Sequence, residues 1–245
     1  MIRRAMVLAA GFGTRLAPLT NTVPKPLVPV AGVPFLEHLL GWLRDGGVRE
    51  VVINLHHLGH LIEAHVGDGA RFGLAVRYSR ETTILDTGGG IKHAQALLDG
   101  EPFFVANGDS LLEISLAELT DFHRARRGIA TLAVRPDPEA ARLGLVEIDD
   151  DARIHRISGR PDGVTTRALR GFMFPGLHVL EPSIFQHMPD AGAFGIARTT
   201  YPELIAHGLP LFGYETTARW INIDTPASVE AADQEIRRSP IAQPR

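Results

Sequence analysis

No cysteine occurs among the 245 residues. That excludes disulfides, thiolate nucleophiles, iron–sulfur clusters and cysteine zinc sites, and it fits a reducing compartment. Long hydrophobic runs are missing as well; no stretch approaches the ~20 apolar residues of a membrane span. Arg3-Arg4 before Ala5-Met6-Val7-Leu8-Ala9-Ala10 imitates a signal peptide, but that apolar run is six residues long and ends in Gly11-Phe12-Gly13-Thr14-Arg15. It also lacks a cleavage site. An excess of positive charge is absent too: 25 Lys plus Arg against 28 Asp plus Glu leave a formal net charge of −3. With no basic patch interleaved by aromatics, neither nucleic acid nor an anionic membrane is an expected partner. Internal repeats are absent. What remains is ordinary globular composition, 44% hydrophobic and 22% charged, in a chain long enough for one large domain. The expectation is a cytoplasmic protein.

The first 110 residues alternate strand and helix signals. Ala5–Ala10 reads as a strand buried on both faces, Glu50–Leu55 as a second, Leu74–Tyr78 as a third and Pro102–Ala106 as a fourth. Between them, Phe35–Arg44, Leu58–Val66 and Gly90–Leu98 carry helical spacing. Such repetition implies right-handed crossovers and a mostly parallel sheet. Later, Ile129–Val134 reads as a strand and Leu145–Ile148 with Arg153–Ile157 as a hairpin. Its Asp149-Asp150-Asp151 lacks the spaced ligands of a calcium loop and reads as a solvated turn. Pro161–Arg167 reads as a mobile loop and Arg237–Arg245 as a loose tail.

The most informative segment is Leu8-Ala9-Ala10-Gly11-Phe12-Gly13-Thr14-Arg15-Leu16, followed by Pro24-Lys25-Pro26-Leu27. A strand running into Gly-x-Gly lets backbone N–H groups approach phosphate without Cβ atoms in the way. Leu16 stands where a dinucleotide fingerprint has its third glycine, and no Gly-Lys-Ser/Thr follows as in a Walker A loop. The added Thr14-Arg15, with a lysine held between prolines, makes this a phosphate loop rather than a plain tight turn. Asp109 follows a buried strand at Asn107-Gly108-Asp109. Ligands of parallel α/β sheets bind beyond strand C-termini, which suits a metal-binding carboxylate. The triplet is equally good turn chemistry, so taken alone it leaves both readings open.

The string Ala9 to Gly32 resembles the signature of the sugar-1-phosphate nucleotidyltransferases, the nucleotide-sugar pyrophosphorylases. Leu85-Asp86-Thr87-Gly88-Gly89-Gly90-Ile91, Asn107-Gly108-Asp109 and Trp220-Ile221-Asn222-Ile223-Asp224-Thr225-Pro226 follow in the family's order. The likeness covers Ala5 to about Asp233. Within the family, the helix His56 to Gly69 and the Asp86–Gly90 string look most like the N-acetylmuramate-1-phosphate uridylyltransferases, which act in cell-wall recycling. The resemblance implies one three-layer α/β/α domain over residues 1–236, Rossmann-like with a mixed, mostly parallel sheet. Residues up to about 110 would bind nucleotide and 111–236 sugar, with 237–245 a tail.

It also implies the reaction: a sugar 1-phosphate oxygen attacks the α-phosphorus of a nucleoside triphosphate, and pyrophosphate leaves. Positioning and charge neutralisation then carry catalysis. Backbone groups from Gly11 through Gly13 to Thr14 would hold the β- and γ-phosphates, those of Ala10 and Gly11 would help at the nucleobase, Arg15 would grip the departing pyrophosphate, and Lys25 the α-phosphate. Thr87 and Gly88 would meet the nucleobase. Asn107, Gly144 and Gly176 would meet the sugar phosphate, and Arg160 would stand for the lysine of the family's Glu-Lys-Pro, here Gly159-Arg160-Pro161. Mg²⁺ is the implied cofactor, on Asp109 and Asn222. Asn222 replaces the family's usual aspartate, and Asp224, two residues on, is the lesser alternative. UTP with N-acetylmuramate 1-phosphate is the leading substrate pair and GTP with mannose or heptose 1-phosphate the alternative. A degenerate nucleotide-sugar sensor is the reading from another class. Zinc on His56, His57, His60 and His65 is disfavoured, because no third ligand accompanies the i, i+4 pair. The residues do not settle oligomeric state.

Overall fold

A computed structural model describes residues 1–163 and 168–241 of the chain. In order, β1 (Arg4–Leu8) leads through the glycine loop to a two-residue ribbon, β2 (Pro29–Val30) and β3 (Val33–Pro34), and then to α1 (Phe35–Asp45) and β4 (Glu50–Leu55). Next come α2 (Gly59–Val66), β5 (Ala75–Arg80), α3 (Asp86–His93), α4 (Gln95–Leu98), β6 (Phe103–Asn107) and β7 (Ser110–Leu112). The later half runs α5 (Leu116–Arg126), β8 (Ala130–Val134), α6 (Ala140–Leu143), β9 (Leu145–Ile148), β10 (Ile154–Ile157), β11 (Arg170–Met173) and β12 (Leu177–Leu180). It ends with α7 (Thr200–Ala206), β13 (Leu211–Glu215), β14 (Trp220–Asn222) and α8 (Pro226–Arg238).

The main sheet has the order β13-β8-β12-β6-β1-β4-β5. Every neighbouring pair is parallel except those of β12, which runs antiparallel to both β6 and β8. Strand alternation sends successive side chains to opposite faces, so the continuous apolar runs make two cores. Ala5, Val7, Val51, Ile53 and Phe104 face one core with Leu36, Leu39, Leu40 and Leu43 of α1, Leu119 of α5 and Ile236 of α8. Met6, Val52, Phe103 and Val105 face the other with Ile91 of α3, Leu98 of α4 and Leu204 of α7. Helices therefore cover both faces, and the architecture is three-layered. No helix among the described residues is long and apolar enough to cross a membrane.

Several expected boundaries move, each for a local reason. β1 stops at Leu8 because Ala9 donates its N–H to the Asn54 side chain, 2.7 Å, instead of continuing the ladder. The helix expected from Gly90 begins at Asp86, because the Gly88 and Gly89 N–H groups donate to the Phe194 carbonyl at 2.8 and 3.0 Å and end the turn there. The expected tail is shorter. α8 starts on a capping box between Thr225 and Ser228, with Pro226 in its first turn, and runs through Arg237 and Arg238. Residues 242–245 lie outside the described ones, as do residues 164–167 of the expected loop. The hairpin β9–β10 forms, and Asp149 organises its turn by accepting from the N–H groups of Asp151 and Arg153, 3.0 Å each.

Register decides where the site lies. Leu8 of β1 stands level with Asn107 of β6, and Leu177 of β12 with Ala106. Because β12 runs the other way, its N-terminal end meets the C-terminal ends of β1 and β6. The glycine loop, Asn107-Gly108-Asp109 and Gly176 are delivered to one edge of the sheet.

Candidate active site

The glycine loop is shaped by a left-handed residue. Gly13 has φ 64° and ψ 30° and opens a short 3₁₀ turn, Thr14–Leu16. Thr20 Oγ1 donates to its carbonyl at 2.9 Å. A Cβ on Gly13 would lie 2.9 Å from Thr20 Cγ2 and 3.1 Å from Lys25 Cβ, so the position demands glycine on both backbone and steric grounds. Gly13→Ala is expected to lower the urea unfolding midpoint, by about 1–3 kcal/mol of stability; an unchanged midpoint contradicts this account of the loop.

Behind the loop stands a chain of four charges. Lys25, its side chain only 10% exposed between Pro24 and Pro26, places Nζ 2.5 Å from Asp109 Oδ2 and also bonds Asp224 Oδ1. Arg15 Nη1 lies 2.6 Å from Asp224 Oδ2, with the Arg15 side chain 66% exposed. The order Arg15–Asp224–Lys25–Asp109 alternates in sign and sums to zero. Asp109 and Asp224 meet because β14 pairs with β7, setting Asn222 opposite Ser110, and Ile223 N–H donates to the Asp109 carbonyl at 3.0 Å.

Three neighbouring cavities that share Asn107 in their walls border this chain. One, about 540 Å³, is lined by Ala10, Gly11, Phe12, Asn54, Ile84, Asp86, Thr87, Asn107 and Asp109 among others. The second, about 450 Å³, is walled by Arg15, Asp86, Thr87, Asn107, Gly144, Ser158, Gly176, His178 and Arg198. A third, about 180 Å³, holds Arg15, Asp109, Asn222 and Asp224. The first two suit ligand-sized groups.

Most of the expected residues converge. Ala10, Gly11 and Thr87 meet in the first cavity, and Asn107, Gly144 and Gly176 in the second, with Arg15, Asp109 and Asn222 at their junction. Gly13, Thr14, Lys25, Gly88 and Arg160 are not in these walls, although Lys25 reaches the third cavity's carboxylates through its ion pairs. A Cβ on Gly88 would lie 2.4 Å from Phe194, one on Gly89 2.5 Å from the Gly192 carbonyl, and one on Gly90 2.7 Å from Glu81 Oε1. The three glycines thus admit neighbours to a crowded first turn, and Gly88 and Gly89 have their N–H groups committed to Phe194. Thr87 Oγ1 accepts from Ile196 N–H at 3.0 Å, tying the two cavities together. Arg160 is exposed, and its backbone closes a turn with Ile157.

Asp224 is the larger departure. It was the lesser alternative for a metal ligand, yet it holds both cations. The donor chemistry fits a divalent ion: two carboxylates and the Asn222 carboxamide line one small cavity, all hard oxygen donors of the kind Mg²⁺ takes. A cationic ammonium already lies between the two carboxylates.

Sequence reasoning missed Asn54, Glu81, His178 and Arg198. Asn54 and Glu81 are buried and paired at 2.7 Å; Asn54 also accepts from Ala9, and Glu81 from Leu85 N–H at 3.0 Å, bracing the floor of the first cavity. A lone asparagine inside Val51-Val52-Ile53-Asn54-Leu55 was the available signal. The histidines brace the same wall. His57 Nε2 lies 2.9 Å from the Thr20 carbonyl, His56 Nδ1 3.1 Å from that of Glu81, and both rings pack on Phe12 at 5.4–5.5 Å.

Against known proteins, the family described as nucleotidyl transferase matches residues 4–238. The chain is similar to N-acetylmuramate alpha-1-phosphate uridylyltransferase of Neisseria meningitidis serogroup B, 35% identical over 237 residues, covering 94% of this chain and 96% of that one. It is also similar to mannose-1-phosphate guanylyltransferase of Mycobacterium tuberculosis, 34% identical over 223 residues, covering 91% of this chain but 61% of that relative. The first curated relatives it matches are thus spanned over about three fifths of their length. Among solved structures, HddC from Yersinia pseudotuberculosis superposes with a TM-score of 0.80 at 24% identity, over 96% of this chain and 100% of that one, a likeness of fold.

Proposed function

The chain belongs to the nucleotidyl transferase family, and from that premise we propose that it transfers a nucleoside monophosphate from a triphosphate to a sugar 1-phosphate, releasing pyrophosphate. The observation that carries this is the Arg15–Asp224–Lys25–Asp109 chain at the meeting point of two ligand-sized cavities. A phosphate oxygen of the sugar substrate forms the new bond to the α-phosphorus as the bond to the β-phosphate oxygen breaks. That nucleophile is already anionic, so no protein base is required.

The chain's own groups then position and neutralise. In the loop Gly11 to Thr14, the two glycines leave backbone N–H groups open to the triphosphate, while the Phe12 ring packs on His56 and His57. Arg15, exposed and held at one end only, swings from Asp224 to the leaving pyrophosphate as a two-pronged donor. Lys25 is stiffened by its prolines and bears on the α-phosphate. Asp109 with Asn222 or Asp224 would hold Mg²⁺, which when bound supplies charge neutralisation on the phosphates. Arg198, with no ion-pair partner among the described residues, gives the second cavity a free guanidinium for an anion of the sugar substrate.

UTP and N-acetylmuramate 1-phosphate are the substrates favoured. The Neisseria relative, matched over nearly its whole length, supports them, and a sugar carrying a carboxylate besides its phosphate suits a cavity with Arg198 in its wall. The mycobacterial relative keeps GTP with mannose 1-phosphate as the second reading. The absence of cysteine and of a membrane-length apolar run favours a cytoplasmic setting. The test crosses four nucleoside triphosphates with N-acetylmuramate, N-acetylglucosamine, glucose, mannose and heptose 1-phosphates, reading pyrophosphate. One preferred pair is expected, with UTP and N-acetylmuramate 1-phosphate fastest. Nucleotide binding without turnover across the panel would favour a sensor instead.

A further inference from the structure

We propose that His178 is a specificity residue of the second cavity, its Nε2–H donating to an acceptor-only oxygen on the sugar, with Tyr201 as the positioning residue that sets its tautomer. This rests on the transferase reading above and names the sugar class that reading leaves open.

His178 lies on β12, the one antiparallel strand of the main sheet, and is 2% exposed while forming part of the cavity wall. Its Nδ1 is bonded to the hydroxyl of Tyr201, which is fully buried on α7. Tyr201 Oη has no other hydrogen-bond partner among the described residues. Burial pushes the Tyr201 phenol well above its ordinary value, so the hydroxyl keeps its proton. Burial likewise pushes the His178 imidazole down to about 3, so the ring is neutral and carries a single N–H.

One proton must therefore be placed, and hydrogen-bond accounting places it. If Nδ1 carried it, that N–H would donate to the Tyr201 oxygen and leave the phenol proton buried without an acceptor, which costs about 1–3 kcal/mol. If Tyr201 donates to Nδ1, every buried group is satisfied and the proton sits on Nε2. Nε2 has no partner among the described residues, yet it is absent from the buried polar atoms that lack one, namely Arg135 Nε, Thr200 Oγ1 and Trp220 Nε1. Its remaining surface therefore opens on the cavity that His178 lines. The Phe174 ring packs edge-on at 5.3 Å and holds the imidazole from the side.

The wall then presents a fixed N–H on His178 and a donor-only guanidinium on Arg198. A hydroxyl satisfies either only if its own proton finds an acceptor elsewhere in the wall, such as Asp86, Asn107 or Ser158; a carbonyl or carboxylate oxygen needs no second partner. The chemistry points to a sugar 1-phosphate with an acetamido or carboxylate substituent.

Two measurements on the full chain test this. With ¹⁵N-labelled histidine in the ligand-free protein, the His178 ring nitrogens report the tautomer: Nε2–H is expected, and an Nδ1–H tautomer overturns the proposal whatever the activity. Tyr201→Phe, which removes the donor to Nδ1, should relax that preference. For kinetics, His178→Phe is compared with His178→Gln, which keeps an N–H near the Nε2 position, on N-acetylmuramate, N-acetylglucosamine and glucose 1-phosphates. The Phe variant should raise the sugar KM about tenfold for substrates bearing the acceptor, the effect of one lost hydrogen bond, with nucleotide KM and kcat little changed and Gln recovering most of it. A penalty on both acetamido sugars assigns the amide carbonyl, and one on the muramate alone assigns the carboxylate. Equal penalties on all three sugars, or a shift in nucleotide KM instead, overturn it. If the unaltered chain turns over no pair, the transferase reading has failed, and the tautomer alone decides His178.

Discussion

Asp109→Ala should reduce pyrophosphate release by roughly 10²–10³-fold or more, the scale seen when a preorganised charge-stabilising group is lost from a phosphoryl- or acyl-transfer site. The side chain is 32% exposed and its carboxylate bonds the Lys25 ammonium, which has a second partner in Asp224. The variant should therefore fold, with its unfolding midpoint close to that of the unaltered chain. The substitutions around it sort the roles. Asp109→Asn keeps an oxygen donor and removes the charge, so it should fall between. Asn222→Ala and Asp224→Ala, measured side by side for dependence on Mg²⁺ concentration, identify the second ligand, because loss of a ligand raises the concentration required. Retention of a third or more of the activity by Asp109→Ala would refute its place at the reacting phosphate.

Lys25→Met should act with opposite signs on two observables. In the ligand-free protein the ammonium sits against both carboxylates that a divalent ion would use. Two cations cannot share those oxygens without repulsion, and because both carboxylates are about a third exposed, solvent screens it to roughly 1–2 kcal/mol. Removing Lys25 should therefore tighten binding of Mn²⁺ without nucleotide, read by electron paramagnetic resonance, by about tenfold or more. Transfer should nevertheless fall about 10²-fold, because the α-phosphate loses its neutralising partner. Weaker or unchanged Mn²⁺ binding would show that Lys25 does not compete for Asp109 and Asp224. If both outcomes hold, the four-charge chain is a resting arrangement in which each side chain waits on a neighbour until the phosphates arrive.

Legibility followed the range of the interaction. Glu50–Leu55 is read from the sequence to the residue, and Phe35–Arg44 to within one, because a continuous apolar run and an i, i+3, i+4 stripe report burial directly. Gly13 stood out in the sequence as part of a Gly-x-Gly loop after a strand, and its left-handed conformation came only with the structure. The start of α3 was not, because Gly88 and Gly89 end their turn on the carbonyl of Phe194, over a hundred residues away. Asp224 was ranked second, and His178 was missed, for related reasons. A carboxylate two positions from the expected ligand looks like a register error until β14 is paired with β7. A histidine inside Leu177-His178-Val179-Leu180 looks like packing until the phenol that orients it is placed.

By itself the sequence determined the layered α/β architecture, the place of the glycine loop and the membership of a family, since each depends on residues adjacent in the chain or on composition along it. The tertiary structure alone decided which charges touch, which expected residues fall outside the cavities and which side chains wall the second cavity. Those depend on strand order, on the one reversed strand and on hydrogen bonds between segments 23 to 199 residues apart, where no local pattern records the pairing.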